Sequence, residues 1–345
     1  MTRRKNTGRK FTPIHDVFKL SSAVRVSAVI ITALLQIPAF FSSCERSVAV
    51  PEATIGSQIY IQWTKNTTPE AIDVFFFDTH GAQELDSYQQ IRWPEGSSHA
   101  YGISGAGEKR MVAFTGTPGV TDPWLDIRNY GSICKKTYRL EEEDLYAPHL
   151  VAETLLPDAA SRTLNLNLQP MLSQIRMESV SCDFSGRPYR DTPFMCEKIY
   201  LSYLVTEYRP LGAGGGRPVS WINAGPLDSV ATFALPRPEM ALRKGPGPIG
   251  RERIYPNVLL HGYANPAGDD GIPRTRLVLE GTLNGFHCYY PIEIPDLQPN
   301  QAYSFNLTIR RMGSPDPDIP VSSDAVSVET AIVPWQIRDP YTVTF

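Results

Sequence analysis

Proline and glycine divide this sequence into short segments, and their frequency limits the folds that the chain can adopt. The chain of 345 residues contains 30 prolines and 25 glycines. Because proline disrupts helix interiors and removes a ladder donor from strands, long regular elements are disfavoured along most of the chain. The intervening segments are rich in β-branched and aromatic residues, and many alternate apolar with polar residues. This pattern is typical of half-buried strands and predicts an all-β protein.

Several segments carry the strand prediction. In Gln58–Thr64, the apolar residues Ile59, Ile61 and Trp63 fall on one face. Ala71–Phe77 is more uniformly apolar, as expected for a central strand of a β-sandwich. Helical periodicity is scarce, and the single helix prediction is Leu140–Leu156, which Pro148 divides.

The segment Arg276–Pro295 predicts a β-hairpin. Asn284-Gly285 is the preferred pair for a type I′ turn, because both central residues need positive φ. Closing the hairpin there pairs Leu283 with Phe286, Gly281 with Cys288, Leu279 with Tyr290 and Leu277 with Ile292 on one face. Thr282 with His287 and Glu280 with Tyr289 form the more polar face. Two glycine- and proline-rich segments, 212–218 and 244–248, are predicted to be loops.

The first 43 residues have the organisation of an export signal. Residues 1–25 contain seven basic side chains and one acidic side chain, and the sixteen-residue apolar stretch Val26–Phe41 follows. That stretch is short for a bilayer span and interrupted by Pro38, so it predicts a signal peptide. Ser42-Ser43 directly precedes Cys44, an arrangement that resembles a lipoprotein cleavage site and predicts lipid attachment to Cys44. An uncleaved anchor, or an ordinary secretory cut with Cys44 incidental, are the alternatives.

Charge excludes some classes of partner for the mature chain. With residues 1–43 set aside, the 33 basic and 36 acidic residues become 26 and 35, a formal net charge of −9. This sign argues against nucleic acid and anionic lipid headgroups as partners. The length predicts two β-sandwich domains in series, at 44–165 and 166–345, the second ending in a short C-terminal strand.

No catalytic, cofactor-binding or metal-binding residues are predicted. The six histidines lack a metal or catalytic spacing, and nucleophile-elbow and phosphate-loop motifs are absent from the sequence. The interior cysteines, Cys134, Cys182, Cys196 and Cys288, match no metal motif. An exported protein could form a disulfide between Cys182 and Cys196, but buried free thiols are the simpler expectation. We therefore expect a protein that is not an enzyme and needs no cofactor.

The order of these segments resembles the fimbrillin family, the subunits of type V pili of anaerobic gut and oral bacteria. The resemblance covers most of the mature chain and is strongest beyond about residue 250. The segments that carry it are AIDVFFFDTHG at 71–81, LNLQPMLSQIRME at 166–178, IYPN at 254–257, TRLVLEG at 275–281, YYPIEI at 289–294, YSFNLTIRRMGSPDPDIP at 303–320 and VPWQIRDPYTVTF at 333–345.

This resemblance implies a fold and a mode of assembly. Fimbrillins are lipoproteins of two transthyretin-like, Greek-key β-sandwich domains. A protease cuts shaft subunits after Arg or Lys, which removes the lipid and the first strand, and a neighbour's C-terminal strand fills the groove. By the same resemblance, the candidate cleavage residues here are Arg46, Lys65, Lys109, Arg110 and Arg128. The candidate donor strand contains Tyr341, Val343 and Phe345, which alternate on one face, although this tail could instead pair within its own domain.

The expected function is therefore a structural subunit of a cell-surface pilus that serves adhesion. Its partners would be other pilus subunits, the outer membrane through the N-terminal lipid, and ligands on host or bacterial surfaces. The alternatives are a lipid-retaining anchor subunit of a pilus and a glycan-binding outer-membrane lipoprotein of a carbohydrate uptake system.

Overall fold

The structure is a computed structural model, and strands dominate it. It describes residues 57–63, 71–92, 99–116, 124–144, 147–158, 161–212, 215–222, 238–266 and 273–335. Strand accounts for 58% and helix for 4% of the described residues, and several antiparallel sheets form a sandwich-like arrangement. The prediction of an all-β protein is confirmed.

The strands fall into five sheets. Up to residue 170 they are β1 (Ser57–Trp63), β2 (Ala71–Asp78), β3 (Leu85–Arg92), β4 (His99–Ser104), β5 (Lys109–Thr115), β6 (Tyr138–Arg139), β7 (Leu150–Leu156), β8 (Ser161–Leu166) and β9 (Gln169–Pro170). Beyond it they are β10 (Leu172–Cys182), β11 (Phe194–Ser202), β12 (Leu204–Arg209), β13 (Arg217–Ile222), β14 (Leu242–Ile249), β15 (Val258–Tyr263), β16 (Arg276–Leu283), β17 (Phe286–Glu293), β18 (Gln301–Ile309) and β19 (Val326–Pro334). The sheet orders are β4-β1-β8, β3-β2-β5-β7-β9, β13-β12-β6, β15-β10-β18-β19 and β14-β11-β16-β17.

Helical structure in the described ranges is confined to α1 (Tyr130–Ile133), α2 (Pro238–Ala241) and a 3₁₀ turn (Leu140–Glu142). None of these helices could cross a membrane. The helix prediction for Leu140–Leu156 was wrong: only its first turn is helical, and its last seven residues form β7, which pairs with β5. Pairing with a distant strand decides the conformation of this segment, and local apolar spacing does not.

The loop prediction for residues 244–248 was also wrong. These residues belong to β14, which lies at the edge of its sheet and pairs with β11 on one side only. An edge strand tolerates Pro246 and Pro248, because one row of its backbone groups needs no partner strand.

The hairpin register is confirmed. β16 and β17 pair as predicted, from Leu283 with Phe286 to Leu277 with Ile292. Asn284 and Gly285 have φ values of 52° and 80°, as a type I′ turn requires. The polar face of the hairpin is less exposed than its sequence indicates, because Glu280 is buried.

Two buried clusters account for the composition of β2. Ile72, Val74 and Phe76 belong to a cluster that includes Ala100 of β4 and Leu166 of β8. Phe75 and Phe77 belong to the larger cluster, which continues into the strands beyond residue 171. Because both of its faces are covered, β2 is apolar at consecutive positions, in agreement with the prediction of a central sandwich strand.

The chain changes sheets around residue 171. β8 ends at Leu166, β9 still pairs with β7, and β10 opens the second set of sheets at Leu172. The division into domains at 44–165 and 166–345 stays a prediction. Cys134, Cys182, Cys196 and Cys288 are free, so the Cys182–Cys196 bridge is not formed.

Candidate functional site

The first described strand occupies the centre of its sheet. β1 pairs antiparallel with β4, from Ser57 opposite Ser104 to Gln62 opposite His99. On its other side β1 pairs parallel with β8, from Gln58 to Trp63. Neighbouring strands lie about 4.8 Å apart, so β4 and β8 are held about 9.5 Å apart by the strand between them. Without β1, each would present an unpaired row of backbone donors and acceptors to a gap one strand wide.

The β4 side of this gap has small residues on its buried face. Ala100, Gly102 and Ser104 are buried, whereas Tyr101 and Ile103 between them are more than half exposed. Ile61 of β1 is in register with Ala100. Since the β4 residues are small, the strand beside them has room for large side chains at alternate positions.

The floor of the gap is apolar. Val74 and Phe76 of β2 and Met111 of β5 are fully buried in the cluster that also contains Leu166 and Leu168. A strand seated between β4 and β8 therefore covers an apolar surface as well as two rows of backbone groups. The site combines the two features from which strand addition gains affinity and register.

Most of the site residues indicated by the sequence lie outside the described residues: Cys44, Arg46, Lys65, Tyr341, Val343 and Phe345. The described ranges do contain Lys109, Arg110 and Arg128.

Lys109 is buried at the start of β5. Its ammonium nitrogen donates to Asp78 Oδ1 at 2.6 Å and Asp86 Oδ1 at 3.1 Å. Burial lowers the pKa of Lys109, but the hydrogen bonds and negative charges of the two aspartates outweigh this and raise it above its usual value. A protease would have to open the five-stranded sheet to reach the Lys109 peptide bond.

Arg110 is held equally firmly. Its guanidinium pairs with Glu153 of β7 and lies 4.4 Å from the centre of the Tyr130 ring. Burial and the hydrogen bond from its own hydroxyl group to Glu153 raise the pKa of Tyr130. Both basic residues of β5 thus stabilise the sheet and are poor protease sites.

Arg128 is exposed, in the segment that leads into α1. Its backbone oxygen accepts a hydrogen bond from Leu85 N–H at 2.8 Å, and its own N–H donates to Ser132 Oγ at 3.0 Å. Cleavage at Arg128 would cut the chain after β5, inside the five-stranded sheet.

Comparison with solved structures identifies proteins of the same fold. No family model and no curated protein matches the sequence. Two putative cell adhesion proteins of Parabacteroides distasonis superpose with TM-scores of 0.58 and 0.57, at 11% and 15% identity, over 82% of this chain and 97% and 100% of theirs. A fimbrilin of Porphyromonas gingivalis superposes with a TM-score of 0.57 at 12% identity, over 81% of this chain and 98% of its own.

At such identities the likeness concerns the fold. The resemblance to fimbrillins that the sequence indicates is confirmed at that level: this chain has the fold of a fimbrilin and of two putative cell adhesion proteins.

Proposed function

We propose that this chain is a structural subunit of a cell-surface pilus that assembles by β-strand exchange and serves adhesion. The observation that carries the proposal is the place of β1, between β4 and β8 in a three-stranded sheet. Removal of the first strand would open a groove with two unpaired edges and an apolar floor. The fimbrilin and cell adhesion proteins of the same fold support a surface location and pilus subunits as partners.

Of the candidate cleavage residues, Lys65 fits this role best. It follows the end of β1 at Trp63 by two residues, so a cut after it detaches β1 with everything that precedes it, including Cys44. A cut after Arg46 would leave β1 in place, and a cut after Arg128 would also detach β2 and β5. A shaft subunit would lose its lipid on maturation, whereas an uncut subunit would stay on the outer membrane as an anchor.

The proposed donor is the segment Tyr341–Phe345 of a neighbouring subunit. Its three large residues alternate with threonines, and a strand with this pattern buries one face and exposes the other. The alternative is that Tyr341–Phe345 pairs with a strand of its own chain, and the experiments below distinguish the two arrangements.

Controlled proteolysis tests the proposal. Treatment of the purified mature protein with a trypsin-like protease should give oligomers that resist mild denaturant, with Asn66 as the new N-terminus. Lys65→Gln should remain monomeric, while the control Arg128→Gln should assemble like the wild type. Removal of residues 341–345 should leave cleaved monomers. If the wild-type protein yields only nicked monomers, strand exchange loses its support.

A reversible tether on β1 gives a second test. Tyr60 and Tyr101 are directly opposite in the β1–β4 pair, and Cα atoms at such positions lie within disulfide range. The Tyr60→Cys, Tyr101→Cys double variant should be cut normally when oxidised but stay monomeric, and then assemble when reductant is added. Equal assembly of the oxidised and reduced forms would show that β1 need not leave.

A further inference from the structure

Three potential metal ligands converge on the outer face of the β16–β17 hairpin. Glu197 comes from β11, Glu280 from β16 and His287 from β17. One ligand atom from each lies within 4.8 Å of the other two. The site is far in sequence from β1, since its earliest residue, Glu197, follows Trp63 by more than 130 positions.

Sheet register brings these residues together. Glu280 is opposite Tyr289 of β17 and Thr282 is opposite His287, so Glu280 and His287 are diagonal neighbours on one face. On the other side, the β11–β16 register shifts between Cys196 and Lys198, which makes Glu197 the extra residue of a β-bulge. A bulge redirects a side chain, and here the Glu197 carboxylate accepts a hydrogen bond from Thr282 Oγ1 at 2.9 Å.

Glu280 supplies the observation that points to a ligand. Its side chain is only 5% exposed, and its Oε1 accepts a hydrogen bond from Lys198 Nζ at 3.0 Å. Its Oε2 is buried and accepts no hydrogen bond from any described residue. An unsatisfied buried carboxylate oxygen is unfavourable, and a bound cation would remove the deficit.

The chemistry of the three groups selects the class of ion. One imidazole nitrogen with two carboxylate oxygens suits a first-row divalent transition metal, whereas Ca²⁺ and Mg²⁺ prefer oxygen ligands alone. His287 Nε2 is 3.5 Å from Glu280 Oε1, close to the ligand separation around tetrahedral Zn²⁺. Glu197 and His287 are exposed, so an ion can reach the site from solvent.

Neighbouring groups hold the ligands in place. Thr282 orients the Glu197 carboxylate, and the Tyr289 ring packs edge to face against His287 with centroids 4.9 Å apart. Such supporting contacts fix the orientation of metal ligands. The ammonium of Lys198 balances the charge of one of the two carboxylates, which leaves the other for a dication to meet.

We propose that Glu197, Glu280 and His287 bind a divalent transition metal ion, with Zn²⁺ the best fit. The three ligands leave a fourth tetrahedral position open for water or for a carboxylate or imidazole of another molecule.

Titration of tag-free, uncleaved protein with ZnCl₂, followed by calorimetry and thermal unfolding, tests the proposal. We expect one saturable site and a rise in Tm with Zn²⁺. His287→Ala and Glu197→Gln, at exposed positions, should each weaken binding by at least about tenfold. His80→Ala and Glu329→Gln, exposed elsewhere, should bind like the wild type.

Substitution with Co²⁺ adds a spectroscopic test, because visible bands of tetrahedral Co²⁺ should appear in the wild type and be lost in His287→Ala. Several equivalent weak sites, or binding that both ligand variants retain, would overturn the proposal. A response to Ca²⁺ equal to that for Zn²⁺ would do the same. All of these measurements use the uncleaved protein. Failure to bind Zn²⁺ would therefore not contradict the strand-exchange proposal, and failure to assemble after cleavage would not contradict the metal site.

Discussion

Acid should destabilise this protein through one buried histidine. His261 lies in β15 with 2% of its surface exposed, beside Gln174 of β10 and the ring of Trp335. Burial and, to a lesser extent, the positive charges of Arg243 and Arg176 together lower its pKa to about 4. The His261 side chain therefore stays neutral in the folded protein down to about pH 4, whereas in the unfolded chain it takes up a proton near pH 6.5.

The sign and size of the effect follow from this difference. Above pH 6.5 the His261 ring is neutral in both the folded and the unfolded state, so it does not make the free energy of unfolding depend on pH. As the pH falls from 6.5 towards 4, the unfolded state binds a proton at His261 and the folded state does not. The free energy of unfolding therefore falls. The loss amounts to about 2 kcal/mol by pH 5 and about 3 kcal/mol by pH 4.

Urea unfolding of the wild type and His261→Leu at pH 7, 6, 5 and 4, with EDTA present, measures this contribution. The variant changes the stability at pH 7 through packing, but its decline on acidification should be smaller than that of the wild type by these amounts. His80→Gln, a substitution in the exposed β2–β3 turn, should decline like the wild type. Parallel curves for the wild type and His261→Leu would refute the reasoning.

Three further predictions concern packing and burial. A Cβ at Gly281 would lie 2.0 Å from a backbone oxygen of β11, so Gly281→Ala should lower the free energy of unfolding by about 3 kcal/mol, as measured by urea titration. A Cβ at Gly250 would meet open space, so the control Gly250→Ala should leave the free energy of unfolding nearly unchanged. Tyr263→Phe removes a 2.7 Å hydrogen bond to the fully buried carboxylate of Glu143 and should cost about 1.5–3 kcal/mol; an unchanged urea midpoint would show that this bond contributes nothing. Burial raises the pKa of Cys182 to about 12, so iodoacetamide at pH 8 should leave it unmodified in the native protein and label it in urea, as peptide mapping would reveal.

Local chemistry explains which parts of the fold could be predicted. Asn284-Gly285 determines a turn by its own backbone preferences, and that turn sets the register of every pair in the hairpin. The segment Leu140–Leu156 could not be predicted in this way, because its second half becomes a strand only by pairing with β5, some forty residues earlier. Pro246 and Pro248 indicated a loop because a sequence does not reveal which strand lies at an edge.

The sites depend still more on distant pairing. The apolar alternation of β1 is visible in the sequence, but its neighbour β8 lies about a hundred residues later. The proposed metal ligands Glu197 and Glu280 are separated by 83 positions in the sequence. They come together through a β-bulge, and local sequence rules do not predict where that bulge lies. A search of the sequence for metal-ligand spacings therefore finds no motif here, although the bulge and the register bring the three ligand atoms within 4.8 Å of one another.

The strand exchange proposed at β1 raises the question of what determines the direction of an incoming strand. β1 is antiparallel to β4 and parallel to β8, so β4 and β8 run in opposite directions. A donor entering either way is parallel to one wall and antiparallel to the other, and backbone hydrogen bonds alone cannot select its direction. Side chains, in contrast, specify the register in which the donor is seated. Ala100, Gly102 and Ser104 place small residues at three alternate levels, and Tyr341, Val343 and Phe345 supply three large residues at the same spacing. A one-residue slip would place threonines at these levels and lose the apolar contact, so the alternation of large residues with threonines specifies the register of the proposed donor.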